Sequence, residues 1–158
     1  MKSAVYPGTF DPVTNGHLDL ITRALGVFDR VVVAVAKNPK KNPVFDVNER
    51  VMLLKEVTKG IGNVEVVAFD TLTTQFCQEL GLNLLIRGLR AVSDFEYELQ
   101  MNQMNRKLNE SIETVFMMPG QEYTYISSGL IKEVASYGGD VSCLVPPVVS
   151  KALKEKFK

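Results

Sequence analysis

Four stretches of the sequence carry side chains that could do chemistry. Thr14-Asn15-Gly16-His17 places a glycine beside the one histidine of the chain. Glycine lets an anion come close to the backbone. A helix starting there would add free N–H groups and a partial positive charge. His17 could point an imidazole N–H at the same anion, and Thr9, just upstream, could add a hydroxyl. Lys37, Lys40 and Lys41 cluster in a second stretch, where a single ammonium aimed at a phosphate would suffice. Arg87-Gly88-Leu89-Arg90 sets two guanidinium forks about a glycine, a geometry suited to phosphate oxygens. Arg87 ends an apolar run, where a charge is costly without a partner; Asp94 and Glu98 follow at spacings that could supply one. Ser127-Ser128-Gly129 could cap a helix and present hydroxyls and N–H groups to an anion. Cys77 falls on a helical pattern without a nearby base, so no covalent nucleophile stands out. The chemistry in view is alignment and charge stabilisation of phosphates.

The elements that must position these residues read as strands alternating with helices. Ser3–Tyr6, Val31–Ala36, Val64–Phe69, Leu84–Ile86 and Val115–Met118 are short, almost continuously apolar runs, as expected of strands buried on both faces. Between them, His17–Phe28 puts Leu18, Ile21, Leu25 and Phe28 on one face. Asp46 with Glu49 reads as a capping box opening a helix through Val57. Leu72–Leu80 is ended by Gly81. Val92–Leu108 is the longest helix and carries Phe95, Leu99, Met101, Met104 and Leu108; Met101, Met104, Asn105 and Leu108 recur at helical spacing, a stripe that is most often core. A helix from Ser127 or Ser128 runs to Tyr137, and Pro146-Pro147 opens a last one to Phe157. The order predicts an α/β, Rossmann-like, doubly wound five-stranded parallel sheet forming a single domain over residues 1–158. In such a sheet ligands bind beyond the carboxyl ends of the strands. Each reactive stretch follows a strand.

Composition narrows the function. The 158 residues are 46% hydrophobic and 23% charged, with 18 Lys plus Arg against 18 Asp plus Glu. That balance offers no general grip on a nucleic-acid backbone. Cys77 and Cys143 form no CxxC, and with one histidine a protein-held zinc site is not expected. No run suits a membrane span or a secretory leader, so a reducing, cytoplasmic setting is expected. The first loop has neither GxGxxG nor GxxxxGK[ST].

The stretch YPGTFDPVTNGH resembles the opening of the TxGH nucleotidylyltransferase superfamily and, more narrowly, of the phosphopantetheine adenylyltransferase family. RGLRAVSDFEYE is similar to that family's signature, and Ile126-Ser127-Ser128 with Ile131-Lys132 resembles the superfamily's ISSxxI motif. The family often has tryptophan where Tyr123 or Tyr125 stands; this chain has none. The resemblance implies transfer of AMP from ATP to 4'-phosphopantetheine, giving dephospho-coenzyme A and pyrophosphate by in-line attack. It implies that His17 and Thr9 stabilise the pentavalent phosphorus, Lys41 holds the acceptor phosphate and Arg90 the departing phosphates. It places Thr9, Phe10, His17, Gly88, Leu89, Arg90, Glu98, Tyr123, Thr124, Tyr125, Ile126, Ser127, Ser128 and Gly129 around ATP. It places Thr9, Lys41, Leu72, Thr73, Arg87, Met104, Asn105 and Glu133 around the acceptor. Magnesium would come with ATP, coenzyme A would inhibit, and the assembly would be a homohexamer. The alternatives are a sister enzyme using nicotinate mononucleotide or glycerol phosphate, a non-catalytic nucleotide-binding regulator, and a tRNA-synthetase fragment, the last disfavoured by the lack of a KMSKS-like loop.

Overall fold

The computed structural model describes residues 1–158. Five parallel strands, β1 (Ser3–Gly8), β2 (Arg30–Ala36), β3 (Val64–Phe69), β4 (Leu84–Gly88) and β5 (Glu113–Met117), form one sheet in the order β3-β2-β1-β4-β5. Six helices accompany them: α1 (Asn15–Leu25), α2 (Val47–Val57), α3 (Thr73–Glu79), α4 (Val92–Leu108), α5 (Ser128–Ser136) and α6 (Pro147–Lys156). This is the doubly wound arrangement the sequence predicts, and its strand order reverses between β1 and β4, where a crevice is expected.

The central strands are apolar because both their faces are covered. Ala4, Val5 and Val31 to Val35 are fully buried. Alternate residues of a strand point to opposite faces, and the core divides accordingly. Ala4, Tyr6, Val31, Val33 and Ile86 pack with Ile21 of α1, Leu54 of α2, Ile131 of α5 and Leu153 of α6. Val5, Val32, Ala34 and Leu85 pack on the other face with Phe76 and Cys77 of α3. The second cluster is much the smaller. Of the seventeen residues of α4, only Glu98 is buried. Phe95, Leu99, Met101, Met104 and Leu108 are exposed, so the stripe does not have the core role that such spacing most often has.

Caps fix the boundaries. Thr14, not His17, begins α1: its hydroxyl accepts the His17 N–H, while the Thr14 N–H donates to the His17 ring. Asp46 and Glu49 form the predicted reciprocal pair at 2.9 and 2.8 Å, worth about 1 kcal/mol. Ser127 caps α5 by accepting the Leu130 N–H. β1 continues two residues beyond the predicted end, because Pro7 and Gly8 stay in register with Ala34 and Val35. A Cβ at Gly88 would lie 2.9 Å from Leu20 Cδ1, so a larger residue there would have to push the Leu20 side chain aside. No helix is long and apolar enough to cross a membrane.

Candidate active site

A cavity of about 540 Å³ lies over the β1–β4 crevice. The ends of β1 and β4, the first turn of α1 and the start of α5 form its walls. A second cavity of about 240 Å³ lies between α4, β4 and the start of α3. Pro7, Gly8, Thr9, Lys41, Arg87 and Glu98 line both, so the two are lobes of one cleft.

His17 is held in one tautomer. The Thr14 backbone N–H donates to Nδ1 at 3.0 Å. An N–H cannot be accepted by a protonated nitrogen, so the ring proton sits on Nε2. Burial, and secondarily the charge of Arg90, lower the pKa of His17 to about 4. The ring is therefore a neutral donor at physiological pH. Phe10 backs it edge-on at 4.9 Å between centroids. Phe10 takes a left-handed backbone conformation, φ 51°, within the Phe10–Pro12 turn that leads into α1, and the Asp11–Pro12 peptide is cis.

Two helix N-termini meet the larger lobe. Thr14, Gly16 and His17 come from α1, and Ser127, Ser128 and Gly129 from α5. Their free N–H groups and aligned dipoles favour an anion there. The hydroxyls themselves are engaged: Ser127 caps its helix, and Ser128 Oγ donates to the Pro12 carbonyl at 2.8 Å.

Four cations line the cleft, and three have carboxylate partners. Arg87 grips Glu98 with two bonds of 2.8 and 2.6 Å and donates a third to the Pro7 carbonyl. Burial works against its charge, but the Glu98 carboxylate outweighs burial and raises the Arg87 pKa. Arg90 contacts Asp94 and donates to the Ile126 carbonyl at 2.9 Å, bridging the loops after β4 and β5. Burial tends to raise the Asp94 pKa; the bonds from Arg90 outweigh it and lower the value. Lys132 pairs with buried Asp11 at 2.8 Å, and Asp11 also accepts the Val44 and Phe45 N–H groups. Lys41 alone has no carboxylate partner. It ends a 3₁₀ turn, Pro39–Lys41, flanked by Asn38 and Asn42 at φ 42° and 44°, a conformation asparagine tolerates. Lys37 is paired with Asp70 on the surface, as a residue outside the site would be.

Of the sequence candidates, Thr9, Phe10, His17, Gly88, Arg90, Glu98, Tyr123, Ile126, Ser127, Ser128 and Gly129 line the larger lobe. Thr9, Lys41, Arg87, Thr73 and Asn105 line the smaller, with Met101 in place of Met104. Leu89, Thr124, Tyr125, Leu72, Met104 and Glu133 line neither lobe; Tyr125 is 90% exposed. Glu98, expected beside the nucleotide, is the partner of Arg87. Asp11 and Lys132 are site residues that sequence reasoning left unassigned, whereas Asp94 and Glu98 are the carboxylates the spacing offered to the arginines. Arg50 was missed altogether: it is 1% exposed and donates to the carbonyls of Thr9, Ala36, Lys37, Phe45 and Asp46. Burial lowers its pKa, opposed by the charges of Asp11 and Asp46. Cys77 is buried, its thiol pushed up to about 11 by desolvation, which suits no nucleophile.

The chain is one of the cytidylyltransferase-like proteins, whose family model matches residues 5–134. A solved structure from Vibrio parahaemolyticus, described as a nicotinate-nucleotide adenylyltransferase, superposes with a TM-score of 0.74 over 99% of this chain and 95% of its own. Its 20% identity carries the fold alone. The sequence is 55% identical to the phosphopantetheine adenylyltransferase of Hahella chejuensis and 54% identical to that of Thermodesulfovibrio yellowstonii, each over 99% of this chain and 98% of the relative. The chain belongs to the phosphopantetheine adenylyltransferase family.

Proposed function

We propose that this chain transfers AMP from ATP to 4'-phosphopantetheine, giving dephospho-coenzyme A and pyrophosphate. The observation that carries the reading is the bilobed cleft with unpaired Lys41 at its junction. ATP occupies the larger lobe, with its phosphates between the two helix starts and Arg90. The acceptor's arm lies in the smaller lobe. Its phosphate reaches Lys41, Thr9 and Arg87 where the lobes meet.

The acceptor phosphate is ionised at neutral pH and is itself the nucleophile, so the protein's task is alignment and charge stabilisation. Lys41 holds the attacking oxygens toward the α-phosphorus. The neutral imidazole of His17 donates through Nε2–H to an oxygen that gains charge as the fifth bond forms, and the Thr9 hydroxyl adds a second donor. The α5 start and Arg90 hold the departing pyrophosphate. Magnesium, when bound with ATP, would neutralise part of the charge on the nucleotide's phosphates. Asp11, Asp94 and Glu98 each already bear a cationic partner, and no group of three metal-ligating side chains is present. The donor set therefore suits an ion held mainly by the nucleotide's own oxygens.

Pyrophosphate release on mixing ATP with 4'-phosphopantetheine tests this. Release only with nicotinate mononucleotide or glycerol phosphate would transfer the assignment to a sister enzyme. No release with any acceptor would leave a binding protein. Lys41→Ala should raise the acceptor KM at least tenfold while the melting temperature holds, because this ammonium pairs with nothing in the fold. An unchanged acceptor KM would displace Lys41 from the junction. Coenzyme A carries the same arm and would compete for the smaller lobe. A cytoplasmic setting follows from these metabolites. The exposed apolar side of α4, with Val92, Phe95 and Leu99, supports assembly of several copies, six by family resemblance, which the mass in solution would check.

A further inference from the structure

Two side-chain oxygens are buried without a hydrogen-bond partner in the protein: Asn102 Oδ1 and Thr114 Oγ1. Both residues line the smaller lobe of the cleft. They come from different elements, α4 and β5, so no single local irregularity accounts for both. Buried polar atoms are almost always satisfied, and an orphan costs stability. Two orphans in one cavity suggest a common ligand group.

Leu85 pairs with Thr114 and Arg87 with Phe116 in the parallel register. Thr114 thus faces the same side as Arg87, two residues back from the rim, roughly 7 Å deeper at the usual strand rise. α4 returns antiparallel to the strands, and Asn102 follows Glu98, the partner of Arg87, by four residues. That is about one helical turn, roughly 6 Å deeper on the same helix face. Both oxygens therefore lie at a similar depth below the phosphate-holding rim. Around them, Phe69, Leu85 and Met101 are apolar, so a charged group would be stranded there.

We infer that Asn102 and Thr114 form a polar subsite that recognises a secondary amide in the acceptor's arm. Asn102 Oδ1 accepts the amide N–H, and the Thr114 hydroxyl donates to the amide carbonyl. An amide brings one donor and one acceptor on opposite edges, matching an acceptor supplied by α4 and a donor supplied by β5. 4'-Phosphopantetheine carries its first amide a few bonds from the phosphate, a separation of the same order as the depth of the two oxygens below the rim. The inference rests on the proposed acceptor and specifies which residues read its arm.

The near-isosteric variants Asn102→Leu and Thr114→Val test it. Each should raise the KM for 4'-phosphopantetheine about tenfold while the KM for ATP stays within twofold. Each should also melt at the same temperature as the wild type or higher, because it removes an unsatisfied buried oxygen. A purely structural role would instead lower the melting temperature. With a phosphate monoester whose arm has methylenes in place of the amide, variant and wild type should have equal KM. An acceptor KM within twofold of wild type in both variants overturns the inference and leaves the adenylyl-transfer reading intact. Failure of the wild type to use 4'-phosphopantetheine overturns both.

Discussion

His17→Ala is expected to lower kcat by roughly 10²–10³-fold with little change in the KM for ATP. The ring's orientation is set before substrate binds: the Thr14 N–H holds Nδ1 at 3.0 Å, and Phe10 backs the face. Its Nε2–H is thus a preorganised donor, whose bond strengthens only as charge builds on the α-phosphate. Because the pKa of His17 lies at about 4, the wild-type rate should show no limb from this residue between pH 5 and 8. Stability should respond instead. The folded value is below the unfolded one of about 6.5, so between the two the unfolded chain binds more protons. Stability is then fully present above about pH 6.5 and is lost as pH falls toward 4. Denaturant midpoints at pH 7 and pH 5 should separate more for wild type than for His17→Ala. A variant with kcat within tenfold of wild type would remove His17 from the transition state.

How much of this was legible follows from the range of the interactions. Thr14, Asp46 and Ser127 act on N–H groups three residues away, and their caps could be read from spacing. The βα order gave the sheet, and the rule that ligands sit beyond strand ends brought Thr9, His17, Lys41 and Arg90 to one rim. Partnerships between distant segments were not legible. Asp11 and Lys132 are 121 residues apart, and nothing local marks either as half of a pair. The α4 stripe was ambiguous for a related reason. Its helical spacing is genuine, but Glu98 turns inward to hold Arg87, and the sheet face it covers has only a small apolar cluster to bury. Met104 accordingly lies outside the cleft that Met101 enters. Sequence spacing could not choose between two methionines nearly one turn apart.

Arg50 is the sharpest omission, and its replacement should have the largest effect on folding. Arg50→Met is expected to destabilise the protein by about 3–5 kcal/mol, a fall in melting temperature of roughly 10 °C at about 2–4 °C per kcal/mol for a chain of this size. Read alone, Arg50 is an ordinary polar residue one turn into α2. In the fold, its Nη1 donates to Thr9 and Ala36, its Nη2 to Lys37, and its Nε to Phe45 and Asp46. Thr9, Ala36 and Lys37 lie where β1 and β2 end, so the sheet ladder leaves their carbonyls in need of donors. Methionine fills much of the volume but supplies none, leaving several part-buried acceptors without their donor. Arg50→Lys should recover only part of the loss, since one ammonium has three donors and no planar fork to span three segments. The same bonds fix the loops that carry Thr9 and Lys41. At temperatures where Arg50→Met is fully folded, kcat/KM should therefore still fall by tenfold or more, with the acceptor KM rising. Calorimetry followed by kinetics below the transition separates the two effects. A melting temperature within 2 °C of wild type would mean that these carbonyls find other donors, and the guanidinium would lose its place as the tie between the two loops.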